Sequence, residues 1–331
     1  MATKTHRLGT KTWFLPIRHR LLAWVVVAAL VGVAIPQSSG ALSTLVPVFL
    51  AGQVLGVALN LTPGEIRAAF RQAPLVGLAL LLQWTALPGL GLALHLLAPT
   101  PTLADGILIC AVAPAEITSG LMATIAGGDA ALATACMAGS LALSTVLTPF
   151  WLVVGLGPGA RIQSGSLALE LVLSVLLPLA LGVGLRARFP RIARWRHLWL
   201  DLSAVCLLLV VLAGTASARS VLLSAAILVM LPLVLALLLG GGVFGWGLGK
   251  ALGLTHRRAT AVGFPIGIRE FGVAIAVAVV VAPRSAAVGG VYGIVMVAGA
   301  GTLATWMARR QPGAVDNPRP GGGPSSVVVV R

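Results

Sequence analysis

The chain has 331 residues, of which 58% are hydrophobic and only 9% are charged. A soluble domain has roughly 45–50% apolar and about 25% charged residues, so this composition excludes an ordinary soluble protein. A net charge of +15 would suggest a nucleic-acid partner in a soluble protein. Here the basic residues lie in short clusters between long apolar runs, as membrane topology requires. We therefore predict a polytopic helical membrane protein whose partner is the lipid bilayer and not nucleic acid.

Ten apolar segments follow one another along the chain, and an apolar helix of roughly 20 residues can span a bilayer. They cover residues 21–36, 41–61, 74–98, 104–127, 130–155, 167–187, 198–214, 220–249, 259–282 and 285–308. A basic stretch precedes the first segment, so a cleaved signal peptide is the alternative to a retained span. The length of the apolar core favours a retained span. We predict an all-α protein with ten transmembrane helices.

The loop charges test this count. With the N-terminus inside the cell, 19 of the 23 Lys and Arg residues fall on the inner side and three on the outer side. Lys and Arg are retained on the cytoplasmic side, so this bias favours ten spans in the cell membrane with both termini in the cytoplasm. Residues 1–20 then form a basic cytoplasmic segment. Residues 309–331, rich in Pro, Gly and Ser, are predicted to be a disordered cytoplasmic tail.

Two segments carry polar residues at membrane depth. Near the middle of the fourth segment lie Pro114, Glu116, Thr118, Ser119 and Gly120, and near the middle of the ninth lie Pro265, Gly267, Arg269, Glu270 and Gly272. A proline removes a helical hydrogen bond and clashes with the preceding turn, and a carboxylate is costly in hydrocarbon. Two ordinary proline-kinked helices are the alternative, but the pattern favours two discontinuous helices.

These two segments hold equivalent positions, because each is the fourth of the five apolar segments in its half of the chain. An odd number of spans per half inserts the halves in opposite orientations, so residues 21–155 and 156–308 are predicted to be inverted five-helix repeats. In such transporters the broken helices meet near the midplane and bind substrate and coupling ion. Because adjacent helical side chains do not face each other, Arg269 is expected to find a partner other than Glu270, and Glu116 is the candidate.

Three parts of the sequence resemble the bile acid:sodium symporter family. They are residues 50–94, residues 113–150 with their Leu-Thr-Pro ending, and residues 175–190 together with 263–279. The resemblance implies a core domain in which segments four and nine cross, and a panel domain that rocks against it. It also implies uptake of an organic anion driven by sodium. By position, Ser119 matches a sodium ligand of the family, Gln83 matches a polar side chain near a second sodium, and Thr134 matches a cavity residue.

The sequence also departs from the family pattern. The family's usual Asn after the matching Ser is Gly120 here, its sodium-binding Glu is Pro265, and its frequent Gln-Asn pair is Arg269–Glu270. Glu116 replaces a glycine. One carboxylate is therefore lost and two are gained nearby. Ser119, Glu116 and Glu270 can rebuild one sodium site, or one carboxylate can take a proton, while Arg269 favours an anionic substrate that it binds through its guanidinium.

The sequence thus predicts a secondary active transporter of a carboxylate-bearing organic anion, coupled to sodium or protons. The alternative is a passive facilitator or efflux carrier without sodium coupling. The predicted substrate- and ion-binding residues are Gln83, Glu116, Thr118, Ser119, Gly120, Thr134, Pro265, Gly267, Arg269 and Glu270. No nucleophile–base or metal constellation lies beside the two glutamates in the sequence, so we predict no enzymatic activity and no cofactor other than a possible sodium ion.

Two weaker patterns have structural interpretations. Ser140, Ser144 and Thr145 are expected to bond carbonyls of their own helix. The glycines between 240 and 249 precede Lys250 and Ala251, without the Ser or Thr that a phosphate-binding loop needs. They are expected to allow close helix packing.

Overall fold

The computed structural model describes residues 21–35, 44–62, 71–157 and 164–310, together with residues 42 and 64. Within these ranges all regular secondary structure is helical, apart from one isolated β-bridge between two residues. The predicted cytoplasmic segment 1–20 and all of the predicted tail after residue 310 lie outside the described residues. Arg309, placed in the tail by the sequence, is the last residue of a helix.

The helices are α1 Leu21–Ala34, α2 Val46–Ala58, α3 Ala73–Leu97, α4 Pro101–Ala111, α5 Ser119–Ile125, α6 Ala130–Leu156, α7 Ser164–Leu171, α8 Leu177–Arg188, α9 Arg196–Ser217, α10 Arg219–Leu222, α11 Ala226–Ala251, α12 His256–Gly267, α13 Phe271–Val281 and α14 Ala286–Arg309. A π-helical turn, Val172–Leu176, joins α7 to α8. Short 3-10 turns, Pro190–Trp195 and Pro283–Ser285, precede α9 and α14.

Helix is present in every one of the ten apolar segments predicted from the sequence. Among the described residues, six helical stretches are long and apolar enough to cross a membrane: Ala73–Leu97, Ala130–Leu156, Gly165–Arg188, Pro190–Ser217, Ala226–Ala251 and Pro283–Arg309. Ala23–Ala34, Val46–Ala58, Pro101–Ala111 and Phe271–Val281 are shorter apolar helices. Large apolar side chains point outward, including Leu30, Val146 and Val243, which are 65%, 68% and 70% exposed. Such a surface suits contact with lipid.

The helices pack in two groups. In the first group α9 contacts α1 and α2, and α8 contacts α2. In the second group α3 packs on α4, α11 on α12 and α13 on α14, while α5 lies against α6, α12 and α14. The groups meet where α9 contacts α13 and α14. The two interrupted helices, α4–α5 and α12–α13, therefore lie in the second group, with α13 at its border with the first.

Glycines bring α11 close to α12. A Cβ at Gly241 would lie 2.5 Å from the carbonyl oxygen of Gly267, and one at Gly245 would lie 2.6 Å from that of Gly263. Backbone therefore packs directly on backbone, since any larger residue would collide with a main-chain atom. This contact confirms the packing role predicted for these glycines and fixes the last turn of α12 beside the second interruption.

Candidate functional site

Two interruptions divide the helices of the fourth and ninth segments. The first break, residues 112–118, separates α4 from α5, and the second break, residues 268–270, separates α12 from α13. Pro114 lies inside the first break, whereas Pro265 lies in the last turn of α12. A proline has no backbone N–H, so each of these residues interrupts the hydrogen bonds of a helical turn. The freed backbone groups need other partners, because they are buried.

The two breaks supply those partners to each other. The amide nitrogen of Glu116 donates to the carbonyl oxygen of Ile268 at 3.0 Å, and the amide nitrogen of Glu270 donates to the carbonyl oxygen of Pro114 at 2.9 Å. Together they form an antiparallel bridge centred on Ala115 and Arg269. The two bonds are equivalent about a local two-fold axis, which relates Glu116 to Glu270. The crossing therefore brings the two carboxylates to matching positions.

Arg269 is at the centre of this crossing and is 1% exposed. Its guanidinium donates through Nη1 to the carbonyl oxygen of Ala113 at 3.2 Å, and through Nη2 to those of Pro265 and Ile266, both at 2.7 Å. Its backbone nitrogen donates to the hydroxyl of Tyr292 at 3.0 Å. The carbonyls of Pro265 and Ile266 lie in the last turn of α12, and that of Ala113 lies just after the end of α4. The C-terminal ends of helices carry partial negative charge.

The expected Glu116–Arg269 pair is therefore wrong. The guanidinium of Arg269 binds main-chain oxygens, and the carboxylate of Glu116 bonds elsewhere. The physical reason is that the ends of two helices, with carbonyls unsatisfied by their own helix, lie closer to the guanidinium than any carboxylate does.

Gln83 reaches the same guanidinium from α3. With its amide oxygen turned toward Arg269, it accepts from Nη1 at 2.7 Å. The same amide contacts the hydroxyl of Ser140 on α6, and that hydroxyl accepts from the backbone nitrogen of Ala115 at 2.8 Å. Ser140 therefore supports the first break instead of bonding a carbonyl of its own helix, which corrects the expectation for it. Ser144 and Thr145 follow the expectation and bond Leu141 and Ala142.

Glu270 is fully bonded. One oxygen accepts from Nε2 of Gln53 at 3.0 Å and from the backbone nitrogen of Gly272 at 3.1 Å, while the other accepts from the backbone nitrogen of Ile117 at 2.9 Å. It is the N-cap of α13. A carboxylate at a helix N-terminus satisfies free amides and interacts favourably with the helix dipole, so Glu270 stabilises the second break and ties it to the first.

Glu116 is held less tightly. Its Oε1 accepts from the nitrogen and hydroxyl of Thr118 at 3.3 and 3.2 Å, while its Oε2 is buried without a hydrogen-bond partner. The carboxyl groups of Glu116 and Glu270 lie within hydrogen-bonding reach of each other, so that one proton between them would join the pair. The hydroxyl of Ser119 and the amide oxygen of Gln53 are also buried and unpartnered. The crossing thus contains several buried oxygen atoms that lack a hydrogen-bond donor. A hard cation or a proton would give them the missing interaction.

The structure brings most of the predicted site residues together. Gln83, Glu116, Thr118, Arg269 and Glu270 are joined through the contacts above, and Ser119 begins α5 directly after the first break. A Cβ at Gly120 would lie 3.2 Å from the hydroxyl of Thr134, so these two predicted residues lie side by side. Pro265 offers its carbonyl to Arg269, and Gly267 contacts α11.

Four polar residues at the crossing were not among the predicted site residues: Gln53, Ser140, Thr148 and Tyr292. Thr148 donates to the carbonyl of Val112 at 2.7 Å. Gln53 has the same signal as Gln83, an amide in the interior of an apolar segment, and Tyr292 is the single tyrosine of the chain. Ser140 and Thr148 carry no distinguishing signal, because buried Ser and Thr can equally bond their own helix.

The chemistry of the crossing is that of oxygen ligands. No cluster of three or more His, Cys, Asp or Glu residues occurs in the described part of the chain. Two carboxylates with hydroxyl and amide oxygens suit sodium or a proton better than a transition metal, which prefers nitrogen and sulfur ligands.

Comparison with known proteins gives two curated relatives. The chain is 33% identical over 129 residues to the "Probable sodium/metabolite cotransporter BASS4, chloroplastic" of Arabidopsis thaliana, a match covering 37% of this chain and 30% of that protein. It is 28% identical over 170 residues to the "Probable sodium/metabolite cotransporter BASS2, chloroplastic" of Oryza sativa subsp. japonica, covering 51% and 41%. Less than half of each relative's length is thus matched.

A family model matches a much larger part of the chain. The SBF-like CPA transporter family model covers residues 19–298, which include both breaks and every predicted site residue. The predicted resemblance to the bile acid:sodium symporter group is confirmed, and the family is one of transporters and not of enzymes. The chain is therefore a multi-pass membrane protein that belongs to the SBF-like CPA transporter family.

Proposed function

We propose that this protein is a cation-coupled secondary transporter of a small organic anion, working by alternating access. In this proposal the ten apolar segments form ten transmembrane helices arranged as two inverted five-helix repeats, with both termini in the cytoplasm. The meeting of the two breaks supports the inverted repeat, because they lie in corresponding segments of the two halves of the chain. The two relatives named as sodium/metabolite cotransporters support coupling to a cation.

The carboxylate pair carries this proposal. Glu116 and Glu270 are 1% and 0% exposed, and Glu116 Oε2 has no donor. With both carboxylates ionised, the crossing holds two negative charges and the one positive charge of Arg269. A buried unbalanced charge is costly, so one sodium ion or one proton at the pair would make the crossing neutral.

This charge balance gives a physical basis for coupling. An organic anion approaching an occluded site with net negative charge is repelled, and in a low-dielectric interior the repulsion is weakly screened. Once a monovalent cation or proton has bound, the repulsion disappears. The cation or proton would therefore bind before the anion. Arg269 contributes long-range positive charge, since its two terminal nitrogens, Nη1 and Nη2, are occupied by carbonyl and amide oxygens and only Nε lacks a partner.

Uptake into proteoliposomes tests the proposal. A panel of small carboxylates is offered with an inward sodium gradient, an inward proton gradient, or neither. We expect accumulation of at least one carboxylate with one gradient, and loss of at least tenfold of that driven uptake in Glu116→Gln. Glu170→Gln, which removes a carboxylate of α7 that is not part of the crossing, should behave as wild type.

Other outcomes would change the conclusion. Equilibration of a substrate without accumulation under either gradient would support a passive facilitator instead. Accumulation that Glu116→Gln and Glu270→Gln both leave unchanged would separate coupling from the carboxylate pair and contradict the proposal.

A further inference from the structure

We propose that the guanidinium of Arg269 is a built-in cation that occupies a monovalent-cation site. This inference goes beyond the proposed function, since it concerns a second site about the same crossing. It starts from the ligands of the guanidinium, which are the carbonyl oxygens of Ala113, Pro265 and Ile266 and the amide oxygen of Gln83. All four are neutral oxygens, and no carboxylate is among them.

Such a set of oxygens is a ligand shell for a free alkali cation. Interrupted membrane helices use unwound carbonyls and half-helix C-terminal ends to coordinate sodium, and here the ends of two half-helices, α4 and α12, converge on one point. Three main-chain carbonyl oxygens that converge on one point repel each other unless a positive charge lies between them. Arg269 supplies that charge covalently, so it cannot leave during a transport cycle.

The two positive-charge sites of the crossing then differ in kind. The Arg269 site is permanently filled, whereas the Glu116–Glu270 pair has unpartnered oxygens and is open to exchange. The chain therefore uses at most one exchangeable cation or proton per cycle. Removal of the guanidinium should convert the permanent site into one that binds a free cation.

The test uses purified full-length protein in detergent, and its readout is thermal unfolding at constant ionic strength. In Arg269→Ala the Tm should fall, and free guanidinium should restore it in a saturable manner. The expected rise is about 5 °C at a concentration 100 times the Kd. Choline, which is too large for the carbonyl shell, should have no effect. In wild type and in Arg269→Lys, which keeps a tethered cation, guanidinium should give no saturable rise.

Absence of any saturable rise with guanidinium in folded Arg269→Ala would overturn the proposal. Should this variant not fold, cation binding to wild-type protein decides the question. Equilibrium binding of radioactive sodium should give no more than one ion per chain, abolished by Glu116→Gln combined with Glu270→Gln. Two sodium ions per chain would contradict a permanently filled site. Neither measurement requires transport, so failure of the proposed function would be seen separately in the proteoliposomes.

Discussion

The two breaks occupy corresponding positions in the two halves of the chain, but their charged side chains are held by different numbers of hydrogen bonds. The first break has seven residues between its helices, and its carboxylate, Glu116, accepts hydrogen bonds only from Thr118 and has one oxygen without a donor. The second break has three residues, and both of its charged side chains are bonded to several partners. The second break thus acts as the fixed half of the crossing. The first break is the half with unpaired oxygen atoms to which a sodium ion or a proton can bind.

The largest expected effect comes from removing the carboxylate of Glu270, and removal of the carboxylate of Glu116 is the comparison. Glu270→Ala would leave buried donors on Gln53, Ile117 and Gly272 without an acceptor, and such donors cost about 1–3 kcal/mol each. We expect a loss of about 3 kcal/mol in the free energy of unfolding after partial rearrangement. Glu116→Ala removes only the bonds to Thr118 and relieves the repulsion between carboxylates, so its loss should be below about 1 kcal/mol.

Equilibrium unfolding in mixed detergent micelles, followed by tryptophan fluorescence, measures both variants. Equal losses would show that the two halves of the crossing are equally constrained, and the distinction between them would fail.

A smaller effect should follow from the glycine contact behind the second break. In Gly241→Ala the new methyl group would meet the carbonyl oxygen of Gly267 at 2.5 Å, a main-chain atom that cannot rotate away. Overpacking of this kind costs about 1–3 kcal/mol, so we expect a loss of about 2 kcal/mol and reduced binding at the crossing. Gly247→Ala on the same helix is the control, since nothing lies within 4 Å of its Cβ. A stability loss shared by both variants would point to the helix itself and not to this contact.

A third comparison concerns the first break and its neighbour α6. Thr148→Val removes the hydroxyl that donates to the carbonyl of Val112, while Thr145→Val removes one that bonds Ala142 within its own helix. An unsatisfied buried carbonyl costs about 1–3 kcal/mol. Because the first break is the looser one, we expect the low end for Thr148→Val, about 1 kcal/mol, and less than about 0.5 kcal/mol for Thr145→Val. The same unfolding assay measures both, and a Thr148→Val effect no larger than that of Thr145→Val would show that the bond is not stabilising.

The helices and the positions of the breaks were predictable because their signals are local. A long apolar run spans lipid whatever surrounds it, and a proline beside a carboxylate at membrane depth is unfavourable in any continuous helix. The glycines of α11 were likewise interpretable, since small residues at regular spacing allow close approach of helices.

The partners within the crossing were not predictable in the same way. Residues 115 and 269 are far apart in the sequence, and which groups meet depends on how two backbones approach. Arg269 was matched to Glu116 by charge, yet the carbonyls at two helix ends lie nearer. Ser140 was expected to bond a carbonyl of its own helix, because such a carbonyl is always within reach. In the structure it bonds the backbone amide of Ala115, which is free because α4 has already ended. Charge and hydrogen-bonding capacity are read from sequence, whereas geometry selects among the possible partners.

The smallest effect on stability, and the sharpest on function, is expected at Ser119. Its hydroxyl is buried beside the first break without a partner, so Ser119→Ala should change the free energy of unfolding by less than about 0.5 kcal/mol. If Ser119 completes a sodium site with Glu116 and Glu270, the sodium concentration that gives half of the maximal thermal stabilisation should rise about tenfold, since one lost ligand of about 1.4 kcal/mol has that effect. Ser174→Ala is the control, because that hydroxyl bonds the carbonyl of Glu170 within its own helix. A large stability loss with unchanged sodium dependence would assign Ser119 a structural role, and the loosely held half of the crossing would then be the carboxylate of Glu116 alone.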